Sequence, residues 1–242
     1  MLIDHVLSMN WLKYMTLAIL LPMGASAKEG VVLLHGLCRS KACMTKMEAA
    51  LGKAGYVVSN IDYPSRSATI GVLSEAVIGS ALASPQLADC TRIHFVTHSL
   101  GGILVRSYFA RHSDPRLGRV VMLGPPNQGS EVVDRLGCWW LFKSVNGPAG
   151  SELGTGRDST PNRLGPVTFE LGVIAGDRSI NWINSLMIKG SDDGKVSVER
   201  SKVQGMKDFL VVHATHPFLM KNPRVIKSAI AFLISGSFEQ PQ

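Results

Sequence analysis

The stretch RIHFVTHSLGG, residues 92–102, sets a serine between an apolar strand-forming run and a pair of glycines. A sharp strand-to-helix turn strains the backbone of its central residue and lifts that side chain clear of the sheet. The residues two before and two after must then be small. Gly101 meets that demand, and Gly102 gives the following helix room to approach the strand. Thr97 meets it less fully, being small but β-branched. A serine at a strand–helix junction can also be a plain helix cap, but a cap needs no His-Ser-x-Gly-Gly context. Ser99 therefore reads as a nucleophile. The glycines do not form G-x-G-x-x-G, which argues against a dinucleotide site.

A serine hydroxyl needs a base, and the base needs an orienting acid. On a strand–turn–helix elbow the chain order is serine, then carboxylate, then histidine. Downstream of Ser99 lie His112, His213 and His216. His112 closes the helix after the elbow and would face away. His213 sits in the apolar run FLVVHA, where a packed neutral imidazole is the expected state. His216 falls just past that run, before Pro217, on a loop free to reach the serine, and is the expected base. For the acid, GSDDGKVSVERS (190–201) offers Asp192 and Asp193, while Asp177 stands at the end of a strand. The D-G-x-V run favours Asp193, because Gly194 permits a tight turn and Val196 can anchor the loop. Asp192 is expected as its solvated neighbour, and Asp177 remains a rival. Stabilising the charge on an attacked carbonyl takes two backbone N–H groups. Leu100, directly after the nucleophile, would supply one and Leu37, after His35-Gly36, the other, with His35 structural.

These residues need a scaffold that brings distant segments together. Continuous or alternating apolar runs predict strands at 30–36, 56–64, 92–99, 118–126, 169–177 and 208–216. Helical spacing falls between them at 40–54, 70–81 and 100–112, and a last helix follows Asn222, with Pro223 near its start and Gly236 after its end. Regular alternation predicts an α/β fold: a mostly parallel sheet of about six strands with helices on both faces. Sites on such sheets lie beyond the C-terminal strand ends, where His35, Asp62, Ser99, the GPPNQGS loop (124–130) and His216 all fall. Residues 138–165 break the rhythm. They open on Cys138-Trp139-Trp140 and continue rich in Gly, Pro and Ser, which suits either a small lid over a pocket or a surface loop with its tryptophans tucked into the core.

The chain has 242 residues, 45% hydrophobic and 18% charged, enough for one sizeable core over 28–242 and no sign of disorder. Ahead of that core, Lys13, the apolar run Tyr14–Met23 and Ala25-Ser26-Ala27 have the three parts of a secretory signal, so residues 1–27 are expected to direct export to the periplasm or beyond. The net charge of +7 comes from scattered residues without interleaved aromatics, which disfavours nucleic acid as a partner. It suits acidic substrates or peripheral contact with an anionic membrane surface. Export would allow disulfides, and Cys38, Cys43, Cys90 and Cys138 admit three pairings with none preferred.

Through LLHGL, THSLGG, PPNQGSEVVDRL, DDGKVSV and THPFLMKNPRVI, the chain resembles the α/β-hydrolase superfamily, and within it the small lipase-like members. GPPNQGS looks like the Pro-His-x-Gly-Ser stretch of many bacterial lipases, with Asn127 in place of histidine. The resemblance implies a reduced fold lacking the first two strands of larger members, and a Ser99–Asp193–His216 triad with neither metal nor organic cofactor. It implies a small-molecule ester or lipid as substrate. An acyltransferase or thioesterase would use the same triad, and a non-catalytic binding protein on the same scaffold would need none of it.

Overall fold

The computed structural model describes residues 27–180 and 182–238, and the expected export signal lies outside them save for Ala27. In chain order come β1 (Glu29–Leu34), α1 (Thr45–Lys53), β2 (Val57–Ile61), α2 (Ile70–Leu82), β3 (Arg92–His98), α3 (Leu100–Phe109) and β4 (Leu117–Leu123). Three helices, α4 (Glu131–Leu136), α5 (Trp140–Ser151) and α6 (Thr160–Arg163), then precede β5 (Leu171–Gly176). The chain finishes with α7 (Trp182–Ser185), α8 (Val198–Ser201), β6 (Asp208–Val212) and α9 (Pro223–Ser235). The strands form one sheet in the order β2-β1-β3-β4-β5-β6, and every pairing is parallel.

Both faces of the sheet are covered, which explains why its strands read as unbroken apolar runs. Successive side chains of a strand point to opposite faces. Val32 and Leu34 of β1 accordingly pack with Leu73 of α2 and Ile103 of α3. Val31 and Leu33 pack on the other side with Met47 and Leu51 of α1 and Val225 and Phe232 of α9. Start and stop signals act locally. The Asn222 side chain accepts from the Arg224 N–H at 2.9 Å to open α9, and Gly236 ends it with φ of 78°.

The irregular segment 138–165 is largely helical, with α5 kinked at Gly147-Pro148. Trp139 and Trp140 are 62% and 78% exposed, so they are not tucked into the core. All four cysteines are free thiols, and none of the three possible pairings is made.

Arg106 ties the irregular segment to the sheet. It is buried on α3 and donates to the Asn127 carbonyl at 2.8 Å, the Pro161 carbonyl at 3.0 Å and the Gly165 carbonyl at 2.8 Å. It also reaches the Asn127 side-chain oxygen at 3.1 Å, while the Asn127 amide donates to the Ser201 carbonyl at 2.8 Å. No carboxylate pairs with it among the described residues, and burial pulls its guanidinium down to about 10. Carbonyl dipoles alone hold this charge, so its removal strands several buried acceptors at once. Arg106→Leu should lower the unfolding free energy by about 3 kcal/mol, read as a reduced urea midpoint at unchanged slope. An unshifted midpoint would contradict this role.

Candidate active site

The C-terminal ends of β1, β3, β4, β5 and β6 meet at one edge of the sheet. The turn after β3 sets Ser99 at φ 53° and ψ −118°, and its side chain makes no helix-capping bond. Only Cys38 and Ser99 among the described non-glycine residues have positive φ, and both line the same cavity. Such strain persists where surrounding structure enforces it, and it clusters at functional sites. The enforcement here is tight. The Ser99 N–H donates to the Leu123 carbonyl at 2.9 Å, and a β-carbon on Gly101 would sit 2.9 Å from the Leu34 carbonyl oxygen. No side chain larger than a hydrogen fits beside the strand at that point.

Asp193 and His216 are brought together by the segments that follow β5 and β6. The His216 ring donates through Nδ1 to Asp193 Oδ2 at 2.7 Å, and its backbone N–H donates to the Asp193 carbonyl at 2.9 Å. Asp193 is 1% exposed. Its other carboxylate oxygen accepts from the N–H groups of Lys195 at 3.0 Å and Val196 at 2.9 Å. Gly194 turns the loop at φ 96°, and Val196 is buried beneath it. In the neutral imidazole, a proton on Nδ1 toward Asp193 leaves the lone pair on Nε2.

The cavity that Ser99 and His216 share has a volume of about 340 Å³ and apolar walls from Val132, Val133, Val145, Leu153 and Val196. Ser99 Oγ has no hydrogen-bond partner among the described residues, His216 included. Leu37 also lines the cavity. Its segment abuts the serine, since a β-carbon on Gly36 would lie 3.1 Å from that of Ser99. The N–H of Leu100 is the first of α3, and neither it nor that of Leu37 meets a carbonyl among the described residues. His35 is buried, stacked on Tyr63 with ring centroids 4.1 Å apart.

Three expectations need correction or resolution. His213 is not packed in a strand: β6 stops at Val212, and the exposed His213 ring pairs with Asp177 at 2.9 Å. That contact occupies the rival carboxylate away from His216. Asp192 is not a solvated neighbour but is buried, accepting from the Gly194 N–H at 2.7 Å and the Ser185 hydroxyl at 2.9 Å. His112, as expected, lies elsewhere, at 2.9 Å from Glu75 on α2.

Two neighbours of the Asp193–His216 pair went unread in the sequence. Gly124, at φ 55°, lies beneath it, where a β-carbon would come within 2.9 Å of Asp193 Oδ2 and 3.1 Å of His216 Nδ1. His98 tilts against the His216 ring at 4.7 Å and donates through Nε2 to the His216 carbonyl at 3.0 Å. A carbonyl only accepts, so Nε2 carries the proton and the unpartnered Nδ1 is a bare lone pair. Burial, and then the adjacent His216, hold His98 well below the ordinary histidine range. Its signal in the sequence is only its place before Ser99.

Among the described residues no group of three or more His, Cys, Asp or Glu side chains is placed to hold a metal ion. The family described as the alpha/beta hydrolase family matches residues 31–223. Among solved structures, the mature lipase BlEst2 of Bacillus licheniformis superposes with a TM-score of 0.70 at 22% identity, over 87% of this chain and 93% of that one. Phospholipase PlaB of Legionella pneumophila gives 0.64 at 16% identity, over 86% of this chain and 58% of the other, so the chain spans little more than half of that protein. A thermophilic esterase from Thermogutta terrifontis gives 0.56 at 16% identity, over 87% and 91%. At these identities the likeness speaks to fold alone. No curated protein matches the chain in sequence.

The buried neutral state of His98 predicts a pH dependence. Its folded pKa lies below the unfolded value of 6.5, so on acidification the unfolded chain takes up a proton that the folded chain refuses. Stability contributed by this group is present above pH 6.5 and is lost as pH falls from there toward the folded pKa. Urea unfolding between pH 7.5 and 5 should therefore decline less steeply in His98→Gln than in the native chain, by up to about 1.4 kcal/mol per pH unit. Equal slopes would mean that His98 titrates alike in both states.

Proposed function

Because the chain belongs to the alpha/beta hydrolase family, we propose that it is a serine hydrolase cleaving carboxylic esters of lipase or esterase type through Ser99, His216 and Asp193. The observation that carries this reading is the buried 2.7 Å Asp193–His216 bond at a cavity that also holds the strained Ser99. A buried carboxylate fixing one imidazole nitrogen leaves the other as a base facing the nucleophile's cavity.

In the proposed cycle an ester carbonyl enters beside Ser99 with its acyl chain against the apolar walls. His216 Nε2 takes the hydroxyl proton as Oγ attacks, and the Ser99–His216 hydrogen bond forms only with substrate in place, as such contacts are often long in resting sites. Asp193 keeps the imidazole in the productive tautomer and stabilises its cation. The N–H groups of Leu37 and Leu100 receive the oxyanion. Collapse expels the alcohol, which takes its proton from His216, and leaves an acyl-serine. Water activated by the same imidazole then releases the acid and restores Ser99. The substrate is a small ester or a lipid, and the signal-like residues 1–27 support action outside the cytoplasm.

Ser99→Ala should lower kcat/KM on short p-nitrophenyl esters by more than about 10⁴-fold and abolish labelling by a fluorophosphonate. Retained labelling would overturn the assignment of the nucleophile. Asp193→Asn should lower kcat by about 10⁴-fold, whereas Asp177→Asn, which breaks only an exposed pair, should stay within about twofold. The reverse ranking would move the acid to Asp177.

A further inference from the structure

Among the described residues no helix is long and apolar enough to cross a bilayer. One short segment nevertheless turns an apolar face outward. Ile180, Trp182, Ile183 and Leu186, joined by Phe218, are each 52–77% exposed. Isolated exposed apolar residues are ordinary, but a contiguous group marks a contact surface. The group is contiguous: the Leu186 N–H bonds to the Trp182 carbonyl at 3.1 Å, stacking the two on one helical turn. Ile180 and Phe218 line one depression with Arg178 and Lys221.

The inner side of the segment is polar and fully engaged. Asn184 is buried and donates to the Gly194 carbonyl at 2.9 Å, and Ser185 donates to Asp192 at 2.9 Å. Polar groups face in and apolar ones face out, the reverse of a helix built to cover a core. Its acids are buried or paired, which leaves the unpaired exposed charge basic. Within 177–189 and 213–222 the basic residues are Arg178, Lys189 and Lys221, none in an ion pair among the described residues. The acid there, Asp177, is paired with His213.

We propose that Ile180, Trp182, Ile183, Leu186 and Phe218 form a docking surface for an anionic phospholipid bilayer. Tryptophan and aliphatic side chains settle at the level of the headgroups, and Arg178, Lys189 and Lys221 meet the lipid phosphates. The chemistry favours a bilayer over a protein. Five apolar side chains and three cations fall short of the ~20–30 residues that each side of a stable protein interface supplies, whereas a shallow wedge with a basic fringe suffices for lipid. The docking turn is hydrogen-bonded to the loop of Asp192–Gly194, and Phe218 lies two residues past His216. A bilayer held here adjoins the Asp193–His216 pair. Docking itself does not depend on the proposed hydrolysis.

The test is cosedimentation of the purified protein, with the state of residues 1–27 checked to be the same in every variant, against phosphatidylcholine vesicles with and without phosphatidylglycerol. The native chain and Ser99→Ala should both bind the anionic vesicles, and added salt should weaken that binding. The triple variant W182S/I183S/L186S should bind about tenfold or more weakly while turning over a water-soluble ester at the native rate. Undiminished binding by the triple variant would overturn the proposal, as would equal binding of the native chain to neutral vesicles. Loss in W139S/W140S in its stead would move the contact to α5. A solution dimer dissolved by the triple variant, without vesicle binding, would identify the occupant as a second copy.

Discussion

Asp193 holds a carboxylate where almost no water reaches it, 1% exposed and surrounded by donors that replace hydration. Burying such a group is tolerable only when its oxygens are met by hydrogen bonds. Here one oxygen takes two backbone N–H groups and the other takes the His216 ring. That demand shapes the neighbourhood. The loop must turn back on itself, which Gly194 allows and Asp192 locks through its own bond to the Gly194 N–H. The chain passing below must carry no side chain, which Gly124 satisfies. His216 must hold its backbone still, and it is held twice, by the Asp193 carbonyl and by His98.

Ser99 imposes a second constraint on the same edge. A serine at φ 53° resists that conformation at about 1–3 kcal/mol, and it stays there because β3 lies between β1 and β4 at the centre of the sheet. Close packing of the following helix leaves the turn no alternative path. The anchoring bond runs to Leu123, the last residue of β4, and Gly124 beneath the acid–base pair is the very next residue. The elbow and the pair therefore share one support, and a displacement of β4 would disturb both.

Much of this was legible in the residues because local physics carried it. Parallel strands buried on both faces announce themselves as unbroken apolar runs, and a serine followed by glycines announces a tight elbow. The GPPNQGS stretch fell at a strand end, as the alternation required, and DDGKV in the connection between β5 and β6. What stayed illegible depended on where a strand stops and on contacts between distant segments. FLVVHA reads as one apolar run, yet β6 ends at Val212, and that early stop turns His213 out to Asp177. Asp192 looked like a surface acid because its acceptors' partners, Ser185 and Gly194, follow from a loop fold that no periodicity reports. His98 meets His216 from 118 positions away. Nothing near Arg106 in sequence shows that its partners are carbonyls 21 to 59 residues on.

The all-parallel sheet has one more consequence, and it concerns how the molecule comes into being. Parallel neighbours cannot be joined by hairpins, so every strand pair waits for a crossover to close. Proteins dominated by such distant pairings fold slowly. The cavity draws on segments from Leu37 to His216, so a nascent or half-assembled chain has no working centre at all. Whatever chemistry this edge performs switches on only as the last strand seats, which makes turnover itself a report on completed folding.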